Sequence, residues 1–216
     1  MRILAFADIH GAYEKMYEII EEERLFDVIV IAGDLTTHGT SDEAEEVIIR
    51  LKKYGKPVVA VAGNMDPAIL ESTFERLHVS INGGARTVGT VAFFGVSGSP
   101  ITPMRTPYEI SEDEIAARAE QGWDQASSAA IKVFVPHAPP RNTKVDKVLF
   151  GNHVGSSAVR SFIEQHKPNI VVCGHIHEAS GQDEIGTTKI VNCGPVAKGC
   201  YAVIDIGEKV IIRSKG

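Results

Sequence analysis

An α/β fold that opens βαβαβ follows from three observations in the first third of the chain. Apolar runs at residues 3–6, 28–31 and 58–61 are short and continuous, as strands covered on both faces are. Segments with helical periodicity separate them. Each run gives way to Asp, Gly or Asn, residues that favour loops. Strands alternating with helices in this way form a parallel sheet with helices packed on it.

The elements can be justified in order. Residues 12–24 carry Met16, Ile19 and Ile20 on one side and a Glu-rich opposite face. Ser41 is expected to cap the next helix, with Asp42 and Glu43 in its first turn. Ala44, Val47, Ile48 and Leu51 then fall at i, i+3, i+4 and i+7, and Gly55 ends the segment. Residues 91–96 read as a strand of a second sheet, and 97–107 as a loop rich in Gly, Ser, Thr and Pro. Ser111 and Glu114 make a capping-box pattern ahead of Ile115, Ala119, Trp123 and Ala126 on one helical face. Residues 133–135 form another buried strand, 138–155 a second loop, and Ser156 or Ser157 caps a helix reaching His166. Residues 170–172 are a strand. Residues 189–192 and 201–212 are expected in an antiparallel or mixed sheet. With no repeat, low-complexity tract or linker, residues 1–216 are expected to form a single domain.

Composition narrows the partners. A net charge of −6 argues against an extended nucleic-acid surface or an anionic membrane surface. Cys173, Cys193 and Cys200 are odd in number and lack C-x-x-C spacing, so neither a disulfide framework nor a zinc ribbon is indicated. No run has the length of a membrane span, and no signal-peptide pattern precedes Asp8. A soluble, cytoplasmic protein is the expectation.

Five apolar runs end in potential metal ligands: Asp8 and His10, Asp34, Asn64, His137, and His175 with His177. Asp8 and His10 are two positions apart, so an extended backbone would point both the same way. Four of the eight histidines lie at these ends, more than scattering would place there. Carboxylate, amide and imidazole donors without thiolate suit Mn, Fe, Zn or Ni. Seven groups exceed one coordination shell and match two ions sharing a carboxylate.

The order D-x-H, G-D, G-N, H, G-H-x-H resembles the calcineurin-like metallophosphoesterase family. Here it reads Asp8-Ile-His10, Gly33-Asp34, Gly63-Asn64, His137 and Gly174-His175-Ile-His177. His137-Ala-Pro-Pro and Gly-His-Ile-His-Glu178 look like its small phosphodiesterase-type branch. The resemblance implies two packed mixed β-sheets flanked by helices, a four-layer metallophosphoesterase sandwich. It implies that Asp8, His10 and His177 bind one ion, that Asn64, His137 and His175 bind another, and that Asp34 bridges both. Ligation and catalysis would coincide at Asp34, Asn64 and His137. It also implies phosphoester hydrolysis, phosphodiester first, by a hydroxide held between two divalent ions roughly 3.5–4 Å apart. Manganese is the first choice of metal, with Fe, Ni or Zn as alternatives, and the substrate would be a small or nucleotide-like phosphoester. A phosphoprotein or phosphomonoester phosphatase, or a non-catalytic metal-binding scaffold, are the competing readings.

One departure stands out. The family's motif often reads G-N-H-D or G-N-H-E, and here it is Gly63-Asn64-Met65-Asp66. A thioether carries no ionisable proton, so leaving-group protonation must come from elsewhere or be dispensed with. His38 and His153 are candidate substitutes, Asn192 could turn toward the site, and Arg105 and Arg141 could meet a phosphate oxygen. The plainer readings are surface histidines, a satisfied Asn192 and solvated arginines. Cys173 is expected to pack in its strand, and Trp123 in the core.

Overall fold

The computed structural model describes residues 1–149 and 151–216. Two sheets lie face to face. The first holds β1 (Arg2–Phe6), β2 (Val28–Ala32) and β3 (Val58–Val61), all parallel. The second holds β4 (Ala85–Val88), β5 (Val91–Val96), β8 (Ile131–Pro136), β9 (Ile170–Cys173), β10 (Gly181–Ile185) and β11 (Thr188–Asn192), in the order β10-β11-β9-β8-β5-β4. Between β5 and β8 a two-stranded ribbon forms from β6 (Ser99–Pro100) and β7 (Glu109–Ile110). The chain then returns to the first sheet as β12 (Tyr201–Ile206) and β13 (Val210–Lys215), giving the order β13-β12-β1-β2-β3. β12 runs antiparallel to β1, with Ile3 opposite Ile204.

The period of two along each strand sorts side chains into two cores. Ile3, Ala5, Val28, Val30, Val59 and Val61 meet Phe93, Val133, Val135, Ile170 and Val172 between the sheets. Leu4, Phe6, Ile29 and Ile31 turn outward onto α1 (Tyr13–Glu23) and α2 (Ser41–Lys52). On the other side Phe94, Phe134 and Val171 receive α4 (Glu112–Gln125) and α5 (Ser157–His166), while α3 (Leu70–Arg76) packs beside α2. The result is four layers, helix–sheet–sheet–helix, as the sequence reading expects. Trp123 packs edge-on against Phe94, with ring centroids 5.8 Å apart, and Cys173 is buried in β9. Among the described residues no helix is long and apolar enough to cross a membrane.

Several details differ from the expectations. Thr40, not Ser41, caps α2, its hydroxyl accepting from the Glu43 amide at 3.2 Å. The order Thr40-x-x-Glu43 fits the capping-box spacing better than any frame starting at Ser41. The first loop contains β6, which pairs with β7 just beyond the loop's end, and the second contains a 3₁₀ turn at Lys144–Asp146. The strands expected over 201–212 are β12 and β13, the second running on to Lys215. Helix α3 and strands β4 and β10 arise where no element was expected. Ser111 and Ser156 cap their helices, accepting from the Glu114 and Val159 amides at 3.1 Å each.

Phe134 lies between Phe94 and Phe162, with centroid separations of 4.9 and 4.8 Å. Phe134→Ala opens a cavity at the centre of this layer. It should lower unfolding free energy by about 3–5 kcal/mol, read as a shift of the urea midpoint at constant slope.

Candidate metal centre

Every strand that carries a candidate ligand ends on the same side of the molecule, where ligands gather in open α/β sheets. Asp8 and His10 follow β1, Asp34 follows β2, Asn64 follows β3, His137 follows β8, and His175 and His177 follow β9. The loops are locked to one another through their backbones. The amides of Asp8, Ile9 and His10 donate to the carbonyls of Gly33 and Asp34 at 2.8–3.1 Å, and the Gly174 amide donates to the His137 carbonyl at 3.0 Å. Asp8, His10, Asp34 and His175 all adopt left-handed backbone conformations, with φ of 50°, 48°, 52° and 72°. Asp, Asn and His tolerate this region better than most residues, yet it still costs energy. The strain turns consecutive side chains toward one point.

The structure brings all seven candidates together in two overlapping groups. In the first, His10 Nε2 lies 3.2 Å from His177 Nε2, and His177 Nε2 lies 3.5 Å from Asp8 Oδ1. In the second, Asn64 Oδ1 lies 3.0 Å from His137 Nε2 and 2.7 Å from His175 Nδ1. Asp34 Oδ2 stands between them, 3.5 Å from His10 Nε2 and 3.4 Å from His137 Nε2. Its other oxygen is occupied, accepting the Met65 amide at 2.7 Å.

These donors fit a pair of divalent ions. Nitrogen and oxygen ligands about 2.0–2.2 Å from an ion lie roughly 2.8–3.6 Å from one another in octahedral or tetrahedral shells, and the separations here run from 2.7 to 3.5 Å. Asp8 and Asp34 are almost fully buried, and among the described residues no lysine or arginine pairs with either. Among the described residues the ion-pair partners within reach of them are histidines alone. Two buried carboxylates without a fixed cation are costly. The ring nitrogens also have orienting partners. His137 Nδ1 lies 2.8 Å from the Ala32 carbonyl and His10 Nδ1 2.9 Å from the Thr37 hydroxyl. A proton donated to that carbonyl leaves His137 Nε2 free to coordinate. Burial, seconded by the neighbouring His137, lowers the His175 pKa to about 4, so His175 is neutral at pH 7.

Close packing sets the residue types around the ligands. A Cβ added at Gly33 would overlap the His137 ring, and one at Gly63 would overlap the Asp34 carboxylate. Asp66, given no role on sequence, is the hub of this region. Fully buried, it accepts the amides of Leu35, Thr36 and Gly63 at 3.1, 2.8 and 2.8 Å and the Thr36 hydroxyl at 2.8 Å. It thereby ties the loop bearing Asp34 to the loop bearing Asn64. Its place in Gly63-Asn64-Met65-Asp66 was the only signal that could have found it.

A cavity of about 760 Å³ opens over the ligand atoms. One wall is the segment after β6, pinned by Glu109. That carboxylate accepts the amides and hydroxyls of Thr102 and Thr106 at 2.7–2.9 Å. Burial opposes the charge, but the four donors prevail and hold its pKa near about 2. The Tyr108 amide donates to the Asn64 carbonyl at 3.0 Å, fastening this wall to a candidate ligand. The facing wall is the loop between β8 and α5, organised by Asp146. Its carboxylate accepts the amides of Asn142, Thr143 and Gly155 at 2.8–3.1 Å and meets His153 Nδ1 at 2.7 Å.

The remaining candidates fall into place. His153 is tied to Asp146, and neither it nor His38 lines the cavity. Arg105 and Arg141 are exposed and lie outside it. Asn192 is buried and satisfied. Its amide donates to the carbonyls of Val145 and Ile176 at 3.2 and 2.9 Å, holding the backbone between His175 and His177.

Fold and site together define a two-sheet α/β protein with a candidate metal centre at its strand ends. A sequence profile of the calcineurin-like phosphoesterases matches residues 1–179, and the chain belongs to that family, whose shared chemistry is metal-dependent phosphoester hydrolysis. An uncharacterised protein of Methanocaldococcus jannaschii is 33% identical over 217 aligned positions, covering 98% of this chain and 95% of that protein. Among solved structures, TT1561 of Thermus thermophilus superposes with a TM-score of 0.75 at 19% identity, over 98% of this chain and 97% of its own. A dimetal phosphatase from Danio rerio gives 0.66 at 13% identity, over 100% of this chain and 96% of its own. Likeness at these identities speaks to the fold alone.

Two outcomes follow for the supports of the site. Asp66→Ala leaves three buried amides without an acceptor, each costing about 1–3 kcal/mol; denaturant titration should show a loss of at least about 3 kcal/mol. Asp146 carries a pH dependence. Burial would raise its carboxyl, but His153 and the loop amides outweigh that and hold it below the usual range. A carboxylate lowered by folding adds stability above its unfolded value of about 3.9, and that stability is lost as pH falls through the lower folded value. Asp146→Asn should therefore cost about 2 kcal/mol at pH 7, with the gap to wild type closing below about pH 4. Urea melts at both pH values check this.

Proposed function

We propose that the protein is a dinuclear metal-dependent phosphodiesterase. The observation that carries this reading is the convergence of seven oxygen and nitrogen donors on the two sides of Asp34 Oδ2. Asp8, His10 and His177 would hold one ion, Asn64, His137 and His175 the other, and Asp34 both. A thiolate-free set of this kind favours manganese first, with iron, nickel or zinc as substitutes. When bound, two such ions supply a water nucleophile ionised near neutral pH and neutralise the charge that builds on the phosphoryl oxygens.

The chain's own residues supply position. The Met65 amide fixes Asp34 Oδ1 so that Oδ2 faces both groups. The Ala32 carbonyl and Thr37 hydroxyl fix the rings of His137 and His10. Burial of Asp8, Asp34 and His137 keeps bulk water from competing and strengthens every charge interaction there.

One feature favours a diester over a monoester. Among the described residues no lysine or arginine lines the cavity, so a monoanionic diester leaves less charge uncompensated than a dianionic monoester. Met65 lines the cavity and offers no proton, which for either ester suits leaving groups stable as anions.

Protein stripped with chelator and reloaded with Mn²⁺ should hydrolyse bis(p-nitrophenyl) phosphate faster than p-nitrophenyl phosphate, and Asp34→Asn should lower kcat at least about 100-fold. Stoichiometric metal uptake without turnover of either compound would leave a binding scaffold, and a faster monoester would make it a phosphatase. Met65→His should raise kcat for diesters with aliphatic alcohol leaving groups by about 10²-fold while changing aryl diesters little. Equal effects on both classes would show that proton donation is not what Met65 lacks.

A further inference from the structure

The cavity is more than a metal cleft. Its apolar lining is Met65 and Ile176, with Pro103 and Met104 from the segment after β6 and Val148 and Val154 from the loop before α5. Large apolar side chains are exposed in both of these segments. Met104 is 82% exposed, Leu149, beside Val148, 84%, and Ile101, beside Thr102, 70%. Large apolar residues at such exposure, in or next to both segments that line one opening, mark a binding surface more than incidental placement.

Charge narrows what binds. Among the described residues the cavity has no lysine or arginine to meet a second phosphate, and Glu109 and Glu178, its carboxylates besides the candidate ligand Asp34, repel one. Glu109 is engaged by Thr102 and Thr106 and is not free to receive hydroxyl donors. Few polar groups are left to recognise a base or a sugar. Its volume of about 760 Å³ exceeds the need of a phosphoryl group and lies in the range of sites for drug-sized ligands.

Resting on the phosphodiesterase reading, we infer that the substrate is a phosphodiester in which one ester group is an extended hydrocarbon. That chain lies between Met104 and Val154, with the phosphate at the ligand cluster. The exposed apolar residues continue the path along which the chain leaves the cavity.

The test uses p-nitrophenyl phosphodiesters whose second ester is methyl, butyl or octyl, and the matching ester of thymidine 5′-phosphate. All are assayed with Mn²⁺-loaded protein below micellar concentrations. The leaving group is constant, so differences report the second ester alone. kcat/KM should rise about fourfold per methylene between methyl and butyl, and the octyl ester should exceed the nucleoside ester at least tenfold. Met104→Glu and Val154→Asp, checked for folding by circular dichroism, should each reduce the octyl-to-methyl ratio at least tenfold. An octyl-to-methyl ratio near one in wild type, or preference for the nucleoside ester, overturns the inference and leaves the phosphodiesterase standing. Calorimetry with octyl and methyl methylphosphonate separates binding from turnover. Octyl binding at least tenfold tighter, with no diester hydrolysed, would keep the hydrocarbon site and discard the phosphodiesterase. Equal binding would discard the hydrocarbon site. Sedimentation with phosphatidylcholine vesicles, without a chain-length effect on soluble esters, would make the exposed apolar residues a membrane contact and overturn the inference.

Discussion

Two carboxylates, Asp8 and Asp34, lie buried at the ends of adjacent parallel strands, and among the described residues no lysine or arginine balances them. The rest of the centre answers to that constraint. Buried negative charges are tolerated when they are paired, hydrogen-bonded or bound to metal. Here amides from Met65 and His175 supply part of the compensation, and the surrounding imidazoles supply donors that divalent ions would share. The left-handed backbones at Asp8, His10, Asp34 and His175 are the conformational cost of aiming so many donors at one place. Asp66, a third buried carboxylate, keeps the loops close enough for that aim. Burial, with the nearby Asp34 charge second, pushes its pKa up to about 6 even with three amides and a hydroxyl donating to it.

Much of this centre could be read from the residues because its ligands sit where apolar runs stop. A buried strand announces its end by chemistry, so Asp8, Asp34, Asn64, His137 and His175 were visible without any knowledge of pairing. The supports were harder to see. Asp146 and Glu109 stand inside segments with no periodicity, and only the folded loops show which amides they collect. The unexpected elements failed for physical reasons as well. Helix α3 spans seven residues with no side-chain cap. Strands β4 and β10 lie at sheet edges, and edge strands carry polar and charged residues that blunt the apolar signal. Arg86 in β4 and Gln182, Asp183 and Glu184 in β10 have that character.

The centre and the cavity walls are built from different material. Ligands sit on loops fixed by two sheets, whereas the walls are the β6–β7 region and the loop before α5. Each wall is held by one carboxylate that gathers amides from its own segment, Glu109 in the first and Asp146 in the second. Side chains facing the cavity from these segments contribute little to the fold's core, and several are largely exposed. Substitution there can alter what enters while the donors around Asp34 stay in place. The same separation accounts for the general reaction class being plain from the ligands when the substrate was not.

Strand β1 lies between β2, its near neighbour in sequence, and β12, formed almost two hundred residues later. Just beyond β1, Ala7 bridges Pro195, and the Val196 amide donates to the Asp8 carbonyl at 3.2 Å. The last candidate ligand, His177, therefore leaves the ribosome before the segment that braces the first one. During synthesis all seven donors can be outside the exit tunnel while Asp8 still lacks its support, and one edge of β1 stays open until residue 206 has been made. All seven candidate donors are thus made before the strands that complete the first sheet, β12 and β13.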